Sequence, residues 1–218
     1  MRIPLSRRSF LRGAASAALA APFALGMRRA VSAALADRYP PPVARLMKEC
    51  TVVDMLDQFL YRADKESTLN DWLSKPNAFA SSDFQPFADS GVSVINFGLG
   101  AGSLREATEL FARWNAFILQ YPRWLARVDK ATDFAQCKAS GRYGIIFGLQ
   151  SAAQFESLEA VDACYAAGQR ISQLCHNFRS LVADGAFEPH DAGVSEFGAK
   201  VIERMNRLGM AVDLGHGG

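Results

Sequence analysis

The chain has 218 residues, half of them hydrophobic, with 24 basic side chains against 22 acidic ones. That is long enough for one domain with a buried core, and the near-neutral balance, with arginines scattered outside the N-terminus, argues against a nucleic-acid binder. No apolar run of membrane-spanning length occurs after the first thirty-odd positions, so no membrane span is expected once that segment is removed.

Residues 1–36 read as a twin-arginine signal peptide. Arg7 and Arg8 stand together in "SRRSFLRG", ahead of the small, mildly apolar run "GAASAALAAPFALG". A small-residue cleavage site fits at "ALA" before Asp37, so the mature protein is expected to begin near "DRYPPPVARL". Such a signal leads to the expectation of a periplasmic or otherwise exported protein that folds before it crosses. Residues 37–218 form the second region.

In chain order, "PPPVARLMKEC" gives a stiff proline stretch and a short helix. "TVVDMLDQFL" is apolar and β-branched, fit for a buried strand. "SSDFQPFADSG" is a loop and short helix leading into a second strand, "VSVINFGLGA". "SLREATELFARWNAFILQYP" follows, with Ser103 as N-cap and Ala107, Leu110, Phe111, Trp114 and Ile118 on one helical face. "YGIIFGLQSA" is a third strand, and "SLEAVDACYAAG" a helix ended by Gly168. "ISQLCHNF" is a fourth strand, followed by a polar loop that holds His190 as a solvated residue. The helix "SEFGAKVIERMNRLG" runs from an N-cap at Ser195 to Gly209, and "MAVDLGH" is a fifth strand. Apolar strands alternating with helices predict an α/β fold with a parallel sheet. Two architectures suit that order, a doubly wound sheet or part of a (β/α)8 barrel. "GLGAGS" after the second strand is a weak phosphate-loop candidate, lacking the Lys-Ser/Thr that should follow.

Polar residues gather at the carboxyl ends of the strands, where a barrel places its chemistry. The first strand offers Asp54, Asp57 and Gln58, and the third Gln150 and Ser151. The fourth offers His176 and Asn177, and the fifth Asp213 and His216. Two of the chain's three histidines at such ends point to an active site. Cys50, Cys137, Cys164 and Cys175 form no C-x-x-C pair, which disfavours a zinc knuckle, and they read as small buried hydrophobes.

From about residue 45 onward the sequence resembles the membrane dipeptidase (renal dipeptidase) family of zinc peptidases. The resemblance rests on "GQRISQLCHNF", a polar loop, and "FGAKVIERMNRLGMAVDLGH". It implies a (β/α)8 barrel, of which this chain supplies the first five strands with their helices. It also implies zinc-dependent hydrolysis of dipeptides by a metal-activated water. His216 falls where the family has a zinc-ligating histidine, and His176 where the family has a histidine that contacts substrate and polarises the scissile carbonyl. Arg170 and Asn177 match the same motif as structural residues. The expected partners are a small dipeptide-like substrate and a second copy of the chain in a homodimer.

Two departures bear on the metal. The family's first strand carries His-x-Asp, where this chain has Leu56 and Gln58, and its third strand ends in a metal-bridging Glu, where this chain has Gln150. Leucine cannot ligate zinc, and a neutral amide cannot offset two dications. The expectation is therefore a zinc centre of fewer than two ions, or a divergent barrel that binds a small ligand without it. Asp57 could substitute only if the strand slipped by one residue, which would turn its side chains to the wrong face. Five strands cannot close a barrel of eight, so the stop after "DLGHGG" reads as truncation of a longer product.

Overall fold

In the computed structural model, which describes residues 35–59 and 66–218, alternating strands and helices build one sheet. The elements are α1 (Pro41–Glu49), β1 (Val53–Asp57), α2 (Glu66–Ser74), α3 (Ser81–Asp89), β2 (Val94–Leu99), α4 (Leu104–Gln120), β3 (Leu125–Arg127), α5 (Ala131–Ser140), β4 (Tyr143–Leu149), α6 (Leu158–Ala167), β5 (Gln169–Gln173), α7 (Glu196–Leu208) and β6 (Ala211–Asp213). The expected signal segment, through residue 34, lies outside the described residues. No helix among the described residues is long and apolar enough to cross a membrane.

Every strand pairing is parallel. The path β1-β2-β4-β5-β6 contains the five strands expected from the sequence, curved as part of a (β/α)8-type barrel. The short β3 is an addition to them. Since β2 pairs with β4 from Gly144 to Leu149, β3 (opposite Tyr143 to Ile145) and β5 (opposite Phe147 to Leu149) must share the other edge of β4 in succession.

The helix ends follow local chemistry. Ser103, Ser157 and Ser195 accept hydrogen bonds from the backbone N–H groups of Glu106, Ala160 and Gly198, satisfying first-turn donors. Gly168 and Gly209 close α6 and α7 in the left-handed conformation.

The sheet has two faces. On the outer one, Ile95, Phe97, Ile145 and Phe147 are fully buried. Phe97 stacks on Trp114 of α4 at 5.1 Å between centroids, and Phe147 on Phe111 at 5.3 Å. On the inner one, Val94 and Ile146 form a floor with Val53 and Ile171. Helix α5 covers this floor, and Cys137 Sγ packs where Gly144 has no side chain. Above the floor the inner face becomes polar and thin, with Asn96, Gly98 and Gly148. Three cysteines are buried as expected, but Cys50 is exposed just past the end of α1; all four thiols are free.

Candidate active site at the carboxyl ends of the strands

The pairing register brings the two histidines together. Gln173 of β5 stands opposite Asp213 of β6, so the residues three positions further on, His176 and His216, leave the sheet side by side. Their rings stack at 4.1 Å between centroids with 22° between planes. Nδ1 of His216 lies 3.0 Å from Asn177 Oδ1. An amide oxygen only accepts, so Nδ1 is the nitrogen that carries hydrogen in this contact.

The loop between β5 and α7 clamps this pair. Ala186 N donates to His216 O at 2.9 Å, and Phe187 N to Asn177 O at 2.8 Å. His216 itself takes φ +61°, a left-handed conformation uncommon outside glycine. Gly185 passes so close that an added Cβ would lie 2.3 Å from His176 O. Arg179 stiffens the loop through a forked pair with Asp184, at 2.6 and 2.8 Å. That guanidinium, with the Ala192 N–H, holds the Asp184 carboxyl below its ordinary range. His190 is exposed, as expected of a solvated loop residue.

A cavity of about 360 Å³ opens beside the pair, lined by Ser151, Ala153, His176, Asn177 and Ser180 among others. Ser151 is held in place, its Oγ accepting from Ala153 N at 3.0 Å. Asp213 caps its own turn by accepting from Gly215 N at 2.8 Å.

The β1 and β4 ends contribute differently. Leu56 and Gln150 converge on Gly98: a Cβ there would meet Leu56 Cδ1 at 2.1 Å and the Gln150 amide at 3.2 Å. The register between β1 and β2 shifts by one residue between Asp54 and Asp57. Leu56 nevertheless stays on the inner face, while Asp57 stands opposite the outer-face Phe97, so Asp57 does not replace the missing ligand. Asp57 accepts from Phe59 N, and burial pushes its carboxyl above the ordinary range, aided by nearby Asp54. Asp54 accepts from Leu56 N at 2.9 Å, and Gln58 is exposed.

Asn96 and Gln173 are two of four buried amides among the described residues not singled out from the sequence, the others being Gln154 and Gln169. Asn96 donates to Met55 O at 3.1 Å with its oxygen unpaired, and Gln173 also keeps an unpaired oxygen. For Asn96 the signal was present, since it interrupts a strand between Ile95 and Phe97. Arg170 is structural, as expected. It pairs with Asp129 at 3.0 Å, bonds three carbonyls and lies over the Tyr165 ring. In the "GLGAGS" loop the Gly102 N–H is already taken by Glu106, at 2.8 Å.

The residues present do not fit a two-zinc centre. Leu56 and Gln150 occupy the inner wall where an imidazole and a bridging carboxylate would be needed. Among the described residues no group of three His, Cys, Asp or Glu side chains is placed to hold a metal ion.

Comparisons with known proteins bear on the fold and the family. An amidohydrolase structure from Pseudomonas aeruginosa superposes with a TM-score of 0.63 at 25% identity, covering 80% of this chain and 49% of that one. A metallopeptidase from Rhodobacter sphaeroides, solved with a phosphinate mimic of the dipeptide L-Ala-D-Ala, gives 0.56 at 16% identity, covering 76% and 58%. An uncharacterised dipeptidase of Schizosaccharomyces pombe is 32% identical over 119 residues, 52% of this chain and 29% of the yeast protein. The chain thus spans about half the length of the solved structures and under a third of the yeast relative. The family description "Membrane dipeptidase (Peptidase family M19)" matches residues 45–218, most of the chain. By fold, strand-end motif and this match, the chain belongs to the membrane dipeptidase family.

Proposed function

We propose that this chain carries the dipeptide-binding mouth of a dipeptidase-like hydrolase, and that its own residues do not assemble a two-zinc centre. The observation that carries the reading is the asymmetry of the mouth. His176, Asn177 and His216 are gathered and clamped on the β5–β6 side, whereas Leu56 and Gln150 meet over Gly98 on the β1–β4 side. In this reading His176 donates to the ligand's carbonyl, and the Nε2 of His216 accepts from its N–H groups. The dipeptide mimic bound by the Rhodobacter relative supports the ligand class.

A second reading is zinc-dependent hydrolysis at a centre of fewer than two ions, with His216 as one ligand. It is favoured by the Asn177 bond, which in a neutral ring leaves the Nε2 lone pair of His216 available. Metal analysis of the full chain, run beside L-Ala-D-Ala binding and turnover, separates the two. Dipeptide binding with no bound zinc supports the first reading; two zinc ions per chain with turnover overturns it. The triple variant Leu56→His, Gln58→Asp, Gln150→Glu is expected to gain zinc affinity by more than about tenfold, the scale of ligand-sphere changes at such sites. Unchanged affinity would show that the pocket, not only its ligand set, has diverged.

A further inference from the structure

At the amino ends of the strands, away from the mouth, a second cavity of about 280 Å³ lies among the ends of α1, α3 and α5. Leu35, Phe84, Ala88 and Val92 make its apolar walls. Leu35 reaches it across Gly91, which has φ +78° and no side chain; a Cβ there would lie 2.5 Å from Leu35 Cδ2. Two hydroxyls break the apolar lining, those of Ser93, just before β2, and of Tyr143, which begins β4. These residues are 8% and 4% exposed, and neither hydroxyl is hydrogen-bonded to another described residue. A buried hydroxyl without a partner costs free energy, which a ligand group that reaches it recovers. Burial, aided by the charges of Asp57 and Asp54, raises the Tyr143 phenol far above its ordinary range, so it enters as a donor.

The charges at the rim are already answered. Lys48 and Lys138 lie in the last turns of α1 and α5, where a cation offsets the negative pole of a helix. Lys138 Nζ also donates to Met47 O at 2.7 Å, and Arg142 Nε to Ser140 Oγ at 3.2 Å. Glu49 adds a carboxylate to the same rim. The ligand therefore needs no charge of its own. It needs an apolar body and one group that both accepts and donates a hydrogen bond. At roughly 30 Å³ per water-sized group, the space suits about nine non-hydrogen atoms.

We propose that this cavity is a binding site for a small uncharged aromatic alcohol, with its ring between Leu35, Phe84 and Val92 and its hydroxyl on Tyr143 and Ser93. The site shares no residue with the mouth, so it stands apart from the dipeptide reading. The test is a titration of the full chain with 2-phenylethanol, followed by the NMR shifts of backbone amides. Toluene and phenylacetate serve as its apolar and charged counterparts. The shifts should centre on Gly91, Ser93 and Tyr143. The alcohol should bind about fivefold more tightly than toluene, the scale of one hydrogen bond. Phenylacetate should bind at least about tenfold more weakly than the alcohol, because its carboxylate would be desolvated without a dedicated partner. Tyr143→Phe and Ser93→Ala are made singly, so that one reports if the other fails to fold. At least one should erase the preference over toluene while toluene binds as before. Ala88→Leu, which fills the cavity, should weaken the alcohol and toluene alike. The proposal is overturned if the alcohol does not bind, if phenylacetate binds most tightly, or if both hydroxyl variants keep the full preference. It is also overturned if Ala88→Leu leaves every affinity unchanged.

Discussion

The same strands meet two different environments on their two faces. On the outer face, Ile95, Phe97, Ile145 and Phe147 are sealed by the aromatic side chains of α4. On the inner face, one residue along each strand, the series runs from Val94 and Ile146 to Asn96, Gly98 and Gly148, then to the mouth. The outer face is dry and densely packed, so it sets stability. The inner face gives up packing for amides and glycines, and Leu56 and Gln150 meet over the bare Cα of Gly98. Stability and ligand chemistry are thus separated by a single step along a strand.

Truncation on each face tests that division. Phe147→Ala removes a ring stacked on Phe111 and in contact with Phe97. It should cost about 3–5 kcal/mol by the usual scale for buried aromatics. Chemical denaturation would measure this, and a loss under about 1 kcal/mol would mean that the aromatic layer is not the stabilising face. Gly185→Ala acts at the mouth instead. Its Cβ would collide with His176 O, and relieving that contact should cost roughly 1–3 kcal/mol. The sharper readout is the imidazole pair. Ring-current shifts of His176 and His216 in the NMR spectrum should move toward those of unstacked rings; unchanged shifts would show that the loop does not hold the stack.

How much of this was legible beforehand follows the same division. The capped helices α4, α6 and α7 could be read because Ser103, Ser195, Gly168 and Gly209 carry the end signals in their own side chains or in the lack of one. The strand-end histidines could be read because each interrupts an apolar run. Helix α5 escaped because it has no strong apolar stripe, α2 because its Leu69, Trp72 and Leu73 span little more than one turn, and β3 because three residues carry no periodicity. The convergence of Leu56 and Gln150 on Gly98 required the β1 bulge and the register of three strands, which no local pattern specifies. Asn96 and Gln173 escaped for a related reason. A lone amide within a strand gains meaning only when its face is known.

Asp57 offers the finest test of the two faces, being a carboxylate at the rim of the apolar one. Burial is the largest cause of its raised pKa; the like charge of Asp54 adds to it, and the Phe59 N–H opposes it. A folded-state pKa above the unfolded one means that the native state holds the proton more tightly. The stability contributed by this group is therefore fully present in acid and is lost as pH rises through the folded pKa. Asp57→Asn keeps the acceptor for Phe59 N and removes the titration. Against the wild type it should be neutral at the acid end and more stable at neutral pH. The gain should stay under about 1 kcal/mol, because the side chain is only partly buried and solvent screens it. Paired denaturant titrations at several pH values, read as the difference between variant and wild type, cancel the opposite contributions of Asp162 and Asp184, whose arginine partners lower their pKa values. A difference that stays flat, or that favours the wild type at neutral pH, would place Asp57 in a water-like setting and return the β1 rim to the polar side of the molecule.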